Sequence, residues 1–493
     1  MINPIKYLIS HSISSPDKPA IVSTKLSISF KECLEKVKNL ALKFRKLGIK
    51  PDQIVVIIFE DRTLEWLITL ALIHEGTVTV SHIYYKLPDE LKADFILCDR
   101  EFDKSLFKEK YQVLDQTWFF TDENVKDITP LDYQSEDSLF RITLSSGTTG
   151  EPKCVPSTVK NFEIRLNLYR SSVLKFCALD ISKEIILFSP MNMLCLAKLY
   201  LGFLINGQTY YDASSSEEIV KLIKIFKINT LTGSPKQLLD LVNYIKEKKI
   251  NITGLENVQY AGSKISLTLL NEIKNNLCKN VISWYGCSET GMISINFIKS
   301  EKFDENFVGY PSTDNKIQIV NDQEMILTNQ QEGLIRIKTP YMANGYYNNK
   351  KVSKKFFKDG WFYSGDIGYL TKQGELFLTD RSDERINLNG VKIDPRKIDI
   401  LMESYPEIKE AACFPLTKSD GQIILGAAFV SNQEEFNLKN FVDYLLTRSH
   451  NNPSPKMYIK VNKIPRNNND KITRFELSRI YSVSENNELV TEK

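Results

Sequence analysis

The sequence predicts an α/β protein. It should have a large N-terminal part of parallel-rich sheets with flanking helices, a β subdomain, and a small α+β C-terminal part. Three observations carry this. Helix-period and strand-period segments alternate over residues 27–100, and again after residue 180. From about 305 to 380 the texture changes to short β segments with Gly and Asn turns. Beyond 384, two strand-like runs and one helical run fit a small separate unit.

Taken in order, Phe30 to Leu47 places apolar residues at helical spacing, with Gly48 as its stop. The run Ile54-Val55-Val56-Ile57-Ile58-Phe59 reads as a strand buried on both faces. Leu64 to His74 is helical, Thr77 to Val80 is strand-like, and Phe95 to Cys98 is another short strand. After 180, Ile185 to Phe188 reads as a strand, and Leu194 to Leu204 and Ile219 to Phe226 read as helices. Thr230 to Gly233 and Val258 to Gly262 look like strands that end in turns. The C-terminal ends of strands are where open α/β sheets bind ligands. Gly333 to Lys338 is a β segment. Ile408 to Pro415 and Ile423 to Val430 read as strands, and Leu438 to Thr447 as a helix.

Of 493 residues, 42% are hydrophobic and 25% charged, which excludes a disordered chain, a collagen and a disulfide miniprotein. The 64 Lys and Arg against 61 Asp and Glu leave a net charge of +3, too balanced for a dedicated nucleic-acid binder. The 8 cysteines form no CxxC and no Cys/His zinc spacing, so they read as buried thiols in a reducing compartment. No apolar run follows Lys6 as in a secretory signal, and Trp66 to Ile73 is far shorter than the ~20 residues that cross a bilayer. A cytoplasmic protein without a membrane span is expected.

The strongest local signal is Leu144-Ser145-Ser146-Gly147-Thr148-Thr149-Gly150-Glu151-Pro152-Lys153. The glycines let backbone N–H groups approach an anion, the hydroxyls add donors, and Lys153 adds charge. That is a phosphate cradle. It is not a P-loop, because the lysine comes three residues after the second glycine. Further strings follow: Ala261-Gly262-Ser263, Tyr285-Gly286-Cys287-Ser288-Glu289-Thr290, and Tyr363-Ser364-Gly365-Asp366. Then come Asp380-Arg381-Ser382-Asp383 with Asn389-Gly390, and Pro465-Arg466-Asn467-Asn468-Asn469-Asp470-Lys471-Ile472-Thr473-Arg474. Singly, each is compatible with a turn, a solvated charge run or an exposed lysine.

In this order, over about residues 27 to 477, the strings resemble the adenylate-forming (ANL) superfamily. That group comprises acyl-CoA synthetases, adenylation domains of nonribosomal peptide synthetases and luciferases. The resemblance implies a ligase that uses ATP and Mg²⁺. A carboxylate attacks the α-phosphorus of ATP, pyrophosphate leaves, and a thiol then displaces AMP from the acyl adenylate. No general base or covalent nucleophile is needed, in keeping with only 4 histidines.

The resemblance also implies roles. Ser145, Ser146, Gly147, Thr148, Thr149, Gly150 and Lys153 would hold ATP phosphates, with Thr148 catalytic. Ala261, Gly262 and Ser263 would lie against adenine, and the Tyr285 ring would stack on it beside Gly286. Ser288 would contact phosphate, and Glu289 would hold Mg²⁺, for which carboxylate oxygen is a suitable ligand. Asp366 would accept the ribose hydroxyls, with Arg381 on ribose or phosphate. Lys471 would bind both the carboxylate and the α-phosphate during adenylation.

The implied domains are 1–382, which binds AMP, and 383–493, a mobile lid that turns about Asp383. Gly390 would line the thiol's tunnel. Four positions depart from the family pattern: Cys154 and Asp470 stand for Gly, Ser288 for Thr, and Lys397 for Glu. The implied acyl pocket includes Asn192, Met193 and Trp284. It has no Asp to pair with a substrate ammonium, which disfavours an α-amino acid. The bulk of Trp284 points to a short or compact acid. The acceptor would be CoA or a carrier-protein phosphopantetheine supplied in trans. The alternative is a catalytically silent nucleotide-binding scaffold on the same fold, for which Cys154 and Asp470 speak.

Overall fold

The computed structural model describes residues 3–82, 87–102, 110–120, 128–145, 152–176, 182–190, 192–299, 303–381, 386–388, 391–417, 423–433, 435–448, 454–466 and 472–481. A first sheet of six strands runs in the order Lys110–Val113, Phe95–Cys98, Ile54–Ile58, Val78–Ser81, Leu139–Ser145, Lys153–Thr158. Its first five strands are parallel, and the last pairs antiparallel as a hairpin with its neighbour. All five residues of Ile54–Ile58 are buried, as the unbroken apolar run requires of a strand covered on both faces.

The second sheet has 14 strands. One half is parallel and runs outward from Asn280–Cys287 through Asn257–Ala261, Thr230–Gly233, Glu184–Ile186, Tyr210–Tyr211 and Pro19–Val22. The other half is antiparallel. It holds Gly291–Phe297, Phe307–Pro311, Leu376–Arg381, Trp361–Leu370, Gly333–Lys338 and Lys316–Val320, the β-rich stretch expected from 305 to 380. The largest apolar cluster, with Phe30, Phe44, Trp66, Phe140, Phe162 and Phe203, packs helices against these sheets, and a second around Leu222, Leu238, Leu270 and Leu231 packs further helices on the parallel half of the larger sheet. Helix Phe30–Leu47 starts at a capping box between Ser29 and Glu32 and stops at Gly48, whose φ of 86° suits glycine.

Residues beyond 394 build a third sheet of Ile408–Thr417, Ile423–Ser431 and Met457–Lys460. Helices Pro395–Glu403, Leu438–Arg448 and Arg474–Tyr481 accompany it, and it has its own apolar clusters around Ile398, Phe441, Phe414 and Leu477. The small α+β unit is therefore present with strands and helix where they were expected.

Three elements differ from the sequence reading. The expected helix Leu194 to Leu204 is an α-helix only over Met193–Leu199. It then widens into a π-helical turn at Tyr200–Ile205, where the Gln208 side chain presses on Gly202. Periodicity alone does not separate a π turn from an α turn, and such turns recur at functional sites. The strand expected at Ile185 to Phe188 is Glu184–Ile186, because the chain turns at Ser189-Pro190 and proline cannot continue a ladder. The helix expected from Leu64 begins at Arg62, capped by the Asp61 carboxylate, which accepts from the Leu64 amide at 3.0 Å. Among the described residues no helix is long and apolar enough to cross a membrane.

Candidate active site

The two large sheets and the C-terminal unit meet around a cavity of about 1190 Å³. Strand ends at Ala261 and Cys287 open into it, as the topology of open α/β sheets directs. The antiparallel hairpin Leu139–Ser145 and Lys153–Thr158 sets Ser145 opposite Lys153, with the phosphate-cradle string between them. Ser146, Gly147, Thr148, Thr149 and Gly150 lie outside the described residues. The Ser145 hydroxyl donates to the Lys153 carbonyl at 3.4 Å. The Lys153 ammonium lies 3.8 Å from the centre of the Phe356 ring and 5.5 Å from that of Tyr346. Cys154 is fully buried among apolar neighbours, and burial pushes its thiol up to about 12. A side chain replaces the family's usual glycine there by filling core space.

One part of the cavity wall forms around Asp366. The Tyr285 hydroxyl donates to one of its oxygens, and Arg381 Nη1 donates to the other at 3.0 Å. Burial holds the Tyr285 phenol well above its usual pKa, so it remains a donor. Gly286 is obligatory: a Cβ there would stand 2.3 Å from the Gly291 carbonyl oxygen. Gly262, at φ 98°, turns the chain after Ala261 in the region that favours glycine, and Ser263 follows on the cavity wall. Lys264, which sequence reasoning did not single out, also lines the cavity. It donates to the Leu378 carbonyl at 2.8 Å and to Asn306, and burial lowers it to about 8.

Glu289 sits further along the cavity wall and is buried. One of its oxygens accepts from the Tyr346 hydroxyl at 3.0 Å, and among the described residues no ion pair holds it. An oxygen of that kind, beside a phosphate cradle, fits Mg²⁺. The half-buried Ser288 turns its carbonyl toward Arg165, whose Nη2 donates to it at 3.2 Å.

Elsewhere on the cavity wall, Asn192 caps its helix, its side chain accepting from the Leu194 amide at 2.8 Å, and Met193 is buried beside it. Trp284 stacks on Tyr169 with ring centres 5.3 Å apart, and its indole N–H donates to Gln259 at 2.9 Å. Behind this aromatic floor lies Lys198, buried. It donates to Glu184 at 2.5 Å, Gln259 at 2.9 Å and Thr232 at 3.1 Å. Burial pulls the Lys198 ammonium down, but Glu184 and Tyr169 outweigh it and hold it up at about 12. Arg165, Tyr169 and Lys198 were missed because nothing in their local sequence marks them. The one available signal was the i, i+4 spacing of Arg165 and Tyr169 on helix Val159–Phe176. Lys471, Asp470, Asp383 and Gly390 lie outside the described residues, while Ile472 and Thr473 line the cavity.

The AMP-binding enzyme family model matches residues 11–347. The chain belongs to this family. Relatives of this AMP-binding enzyme include the 2-succinylbenzoate–CoA ligase of Listeria monocytogenes serovar 1/2a. That protein is 25% identical over 500 residues, covering 95% of this chain and 97% of the relative. The ligase of the same name from Bacillus subtilis is 22% identical, covering 96% of this chain and 97% of its own length. Among solved structures, the O-succinylbenzoate Coenzyme A synthetase of Bacillus subtilis in complex with AMP superposes with a TM-score of 0.80 at 21% identity, over 96% and 97% of the two chains. The anthranilate CoA ligase in complex with anthranoyl-AMP does so at 0.80 and 16% identity, over 98% and 97%. The fold expected from the sequence is thus the fold observed. The protein is an adenylate-forming, AMP-forming ligase, and the silent-scaffold alternative is not favoured.

Proposed function

We propose that the protein joins a compact carboxylic acid, and not an α-amino acid, to CoA through an acyl adenylate. The observation that carries this is one cavity whose wall holds both the hydrogen-bonded Tyr285–Asp366–Arg381 cluster and the stacked Tyr169–Trp284 pair, with the Glu289 carboxylate on the same wall. A closed aromatic floor suits a short or planar acid. No carboxylate side chain lines that end among the described residues to pair with an ammonium. CoA is favoured over a carrier protein by the full-length coverage of relatives named as CoA ligases. Seven described free cysteines, most of them buried, support the cytoplasm as its compartment.

In this reading, ribose binds at Asp366 and Arg381, and adenine lies between Tyr285 and the Ala261-Gly262-Ser263 turn. One of the two contacts that now occupy the Asp366 carboxylate yields to the ribose hydroxyls. Ser145, the string 146–150 and Lys153 hold the phosphates. Glu289 would hold Mg²⁺, which when bound neutralises charge on the phosphate oxygens. A carboxylate oxygen attacks the α-phosphorus and the bond to pyrophosphate breaks, with Lys471 bridging the two anions. Residues 383–493 then turn about Asp383, the CoA sulfur enters past Gly390 and attacks the acyl carbon, and AMP leaves. Pyrophosphate release with Mg-ATP across a library of acids, with and without CoA, tests this. The expected result is turnover with a compact acid and a CoA-dependent thioester. Preference for a standard amino acid would refute the pocket reading.

A further inference from the structure

Residues 339–347 form a strap that joins the turn carrying Glu289 to the hairpin carrying Lys153. The Thr339 hydroxyl donates to the Thr290 carbonyl at 3.3 Å, and the Ala343 amide donates to the Glu289 carbonyl at 2.9 Å. At the far end of the strap, the Tyr347 amide donates to the Cys154 carbonyl at 2.8 Å. Tyr346 sits where the two sides meet, buried with Val155 and Ala343. Its ring stands edge-on to Phe356 and Phe357, with ring centres 5.9 Å and 5.4 Å away. Its amide donates to the Ser353 hydroxyl at 2.8 Å. Backbone and ring are thus both fixed.

The side chain touches both charged groups. Its hydroxyl donates to Glu289 Oε1 at 3.0 Å, and the Lys153 ammonium lies 5.5 Å from its ring centre. A phenylalanine would pack equally well against Phe356 and Phe357, so the hydroxyl has its purpose at Glu289. A glutamate side chain is long and rotatable, and fixing it costs conformational entropy. An O–H to carboxylate hydrogen bond is of the strong, charge-assisted kind and meets that cost. Among the described residues no other side chain donates to the Glu289 carboxylate, and the residue lines the cavity. We infer that Tyr346 is a positioning residue for the metal site: its hydroxyl holds one oxygen of Glu289 and so presents the other to Mg²⁺. Carboxylates that ligate metals are in turn hydrogen-bonded, and loss of such a partner costs about 10–100-fold in metal affinity. This rests on reading Glu289 as the metal carboxylate.

Calorimetry on the full chain with α,β-methylene-ATP, whose α–β linkage is not cleaved, tests the inference. The Kd is measured in EDTA and again with excess Mg²⁺, and the ratio of the two reports the metal's share of binding. Tyr346→Phe should lower that ratio by about 10–100-fold, while leaving the Kd in EDTA unchanged within error, because the ring beside Lys153 is retained. Glu289→Gln should lower the ratio at least as far, and adding Tyr346→Phe to it should change little, since the hydroxyl acts through that carboxylate. Equal weakening by Tyr346→Phe in EDTA and in Mg²⁺ would show a merely structural tyrosine and overturn the inference. So would an unchanged ratio in Tyr346→Phe beside a lowered one in Glu289→Gln, which leaves the metal reading of Glu289 standing. If neither variant moves the ratio, the metal reading falls and the inference with it. Because binding is read without turnover, a wild type that released no pyrophosphate would count against the ligase reading alone.

Discussion

The proposed nucleotide and acyl ends of the cavity are built differently. At the nucleotide end, short contiguous strings bring glycines and polar side chains together. Those groups satisfy one another, as Tyr285, Asp366 and Arg381 do. At the acyl end, Arg165, Tyr169, Lys198, Gln259 and Trp284 come from four separate elements. There an aromatic pair covers a paired buried lysine, and the buried Arg165 donates to the Ser288 carbonyl. The contrast separates two tasks. Holding ATP needs backbone approach and a few fixed donors, which a short motif encodes. Choosing an acid needs shape and charge at a buried wall, which only packing supplies.

The largest effects should come from the reaction centre between the two ends. Lys471→Ala should lower acyl-adenylate formation by about 10²–10³, the scale for one preorganised charge-stabilising group, while sparing thioester formation from a supplied acyl adenylate. Asp383→Pro should do the reverse, since a locked φ blocks the hinge turn and leaves the adenylation pose accessible. Separate assays of the two half-reactions decide it, and wild-type rates in both for both variants would end the two-pose account. Glu289→Ala should remove Mg²⁺-dependent pyrophosphate release without unfolding the chain. Full activity with an unchanged Mg²⁺ requirement would move the metal elsewhere.

At the acyl end, Lys198→Met should destabilise the protein by about 3 kcal/mol, because it strands the Glu184 carboxylate near the base of the sheet. Denaturant unfolding measures this. Adding Glu184→Gln should recover most of the loss if the pair, and not the methylene packing, is responsible. The smallest effect is expected at the nucleotide end. Asp366→Ala should raise the KM for ATP roughly tenfold, since ribose loses a hydrogen-bonded acceptor at a cost of about 1–2 kcal/mol. An unmoved KM and kcat would show that ribose binds elsewhere.

Much of the fold was legible because its signals are local. The apolar run at 54–59, the helical spacing from Phe30 to the stop at Gly48, and the turns at 305–380 each specify an element without help from distant residues. The π turn at Tyr200–Ile205 was not legible, since it depends on Gln208 packing against Gly202. The nucleotide strings were legible as motifs, yet the pairing of Tyr285 with Asp366 was not. Those residues are 81 positions apart and meet only across the sheet.

By itself, the sequence determined the α/β class and many of the helices and strands along the chain, which depend on periodicity. The adenylate-forming chemistry came from the resemblance of contiguous glycine, hydroxyl and acidic strings to those of a family. Only the tertiary structure decided that Cys154 fills core space, that Lys198 is tied to Glu184 behind Trp284, and that Arg165 is buried against the Ser288 carbonyl and the Tyr341 ring. The physical reason is that the energy of a charge depends on what surrounds it. A lysine or arginine in the sequence is by default solvated surface. Folding removes the water, and the charge must then find its partners inside, as Lys198 does at Glu184.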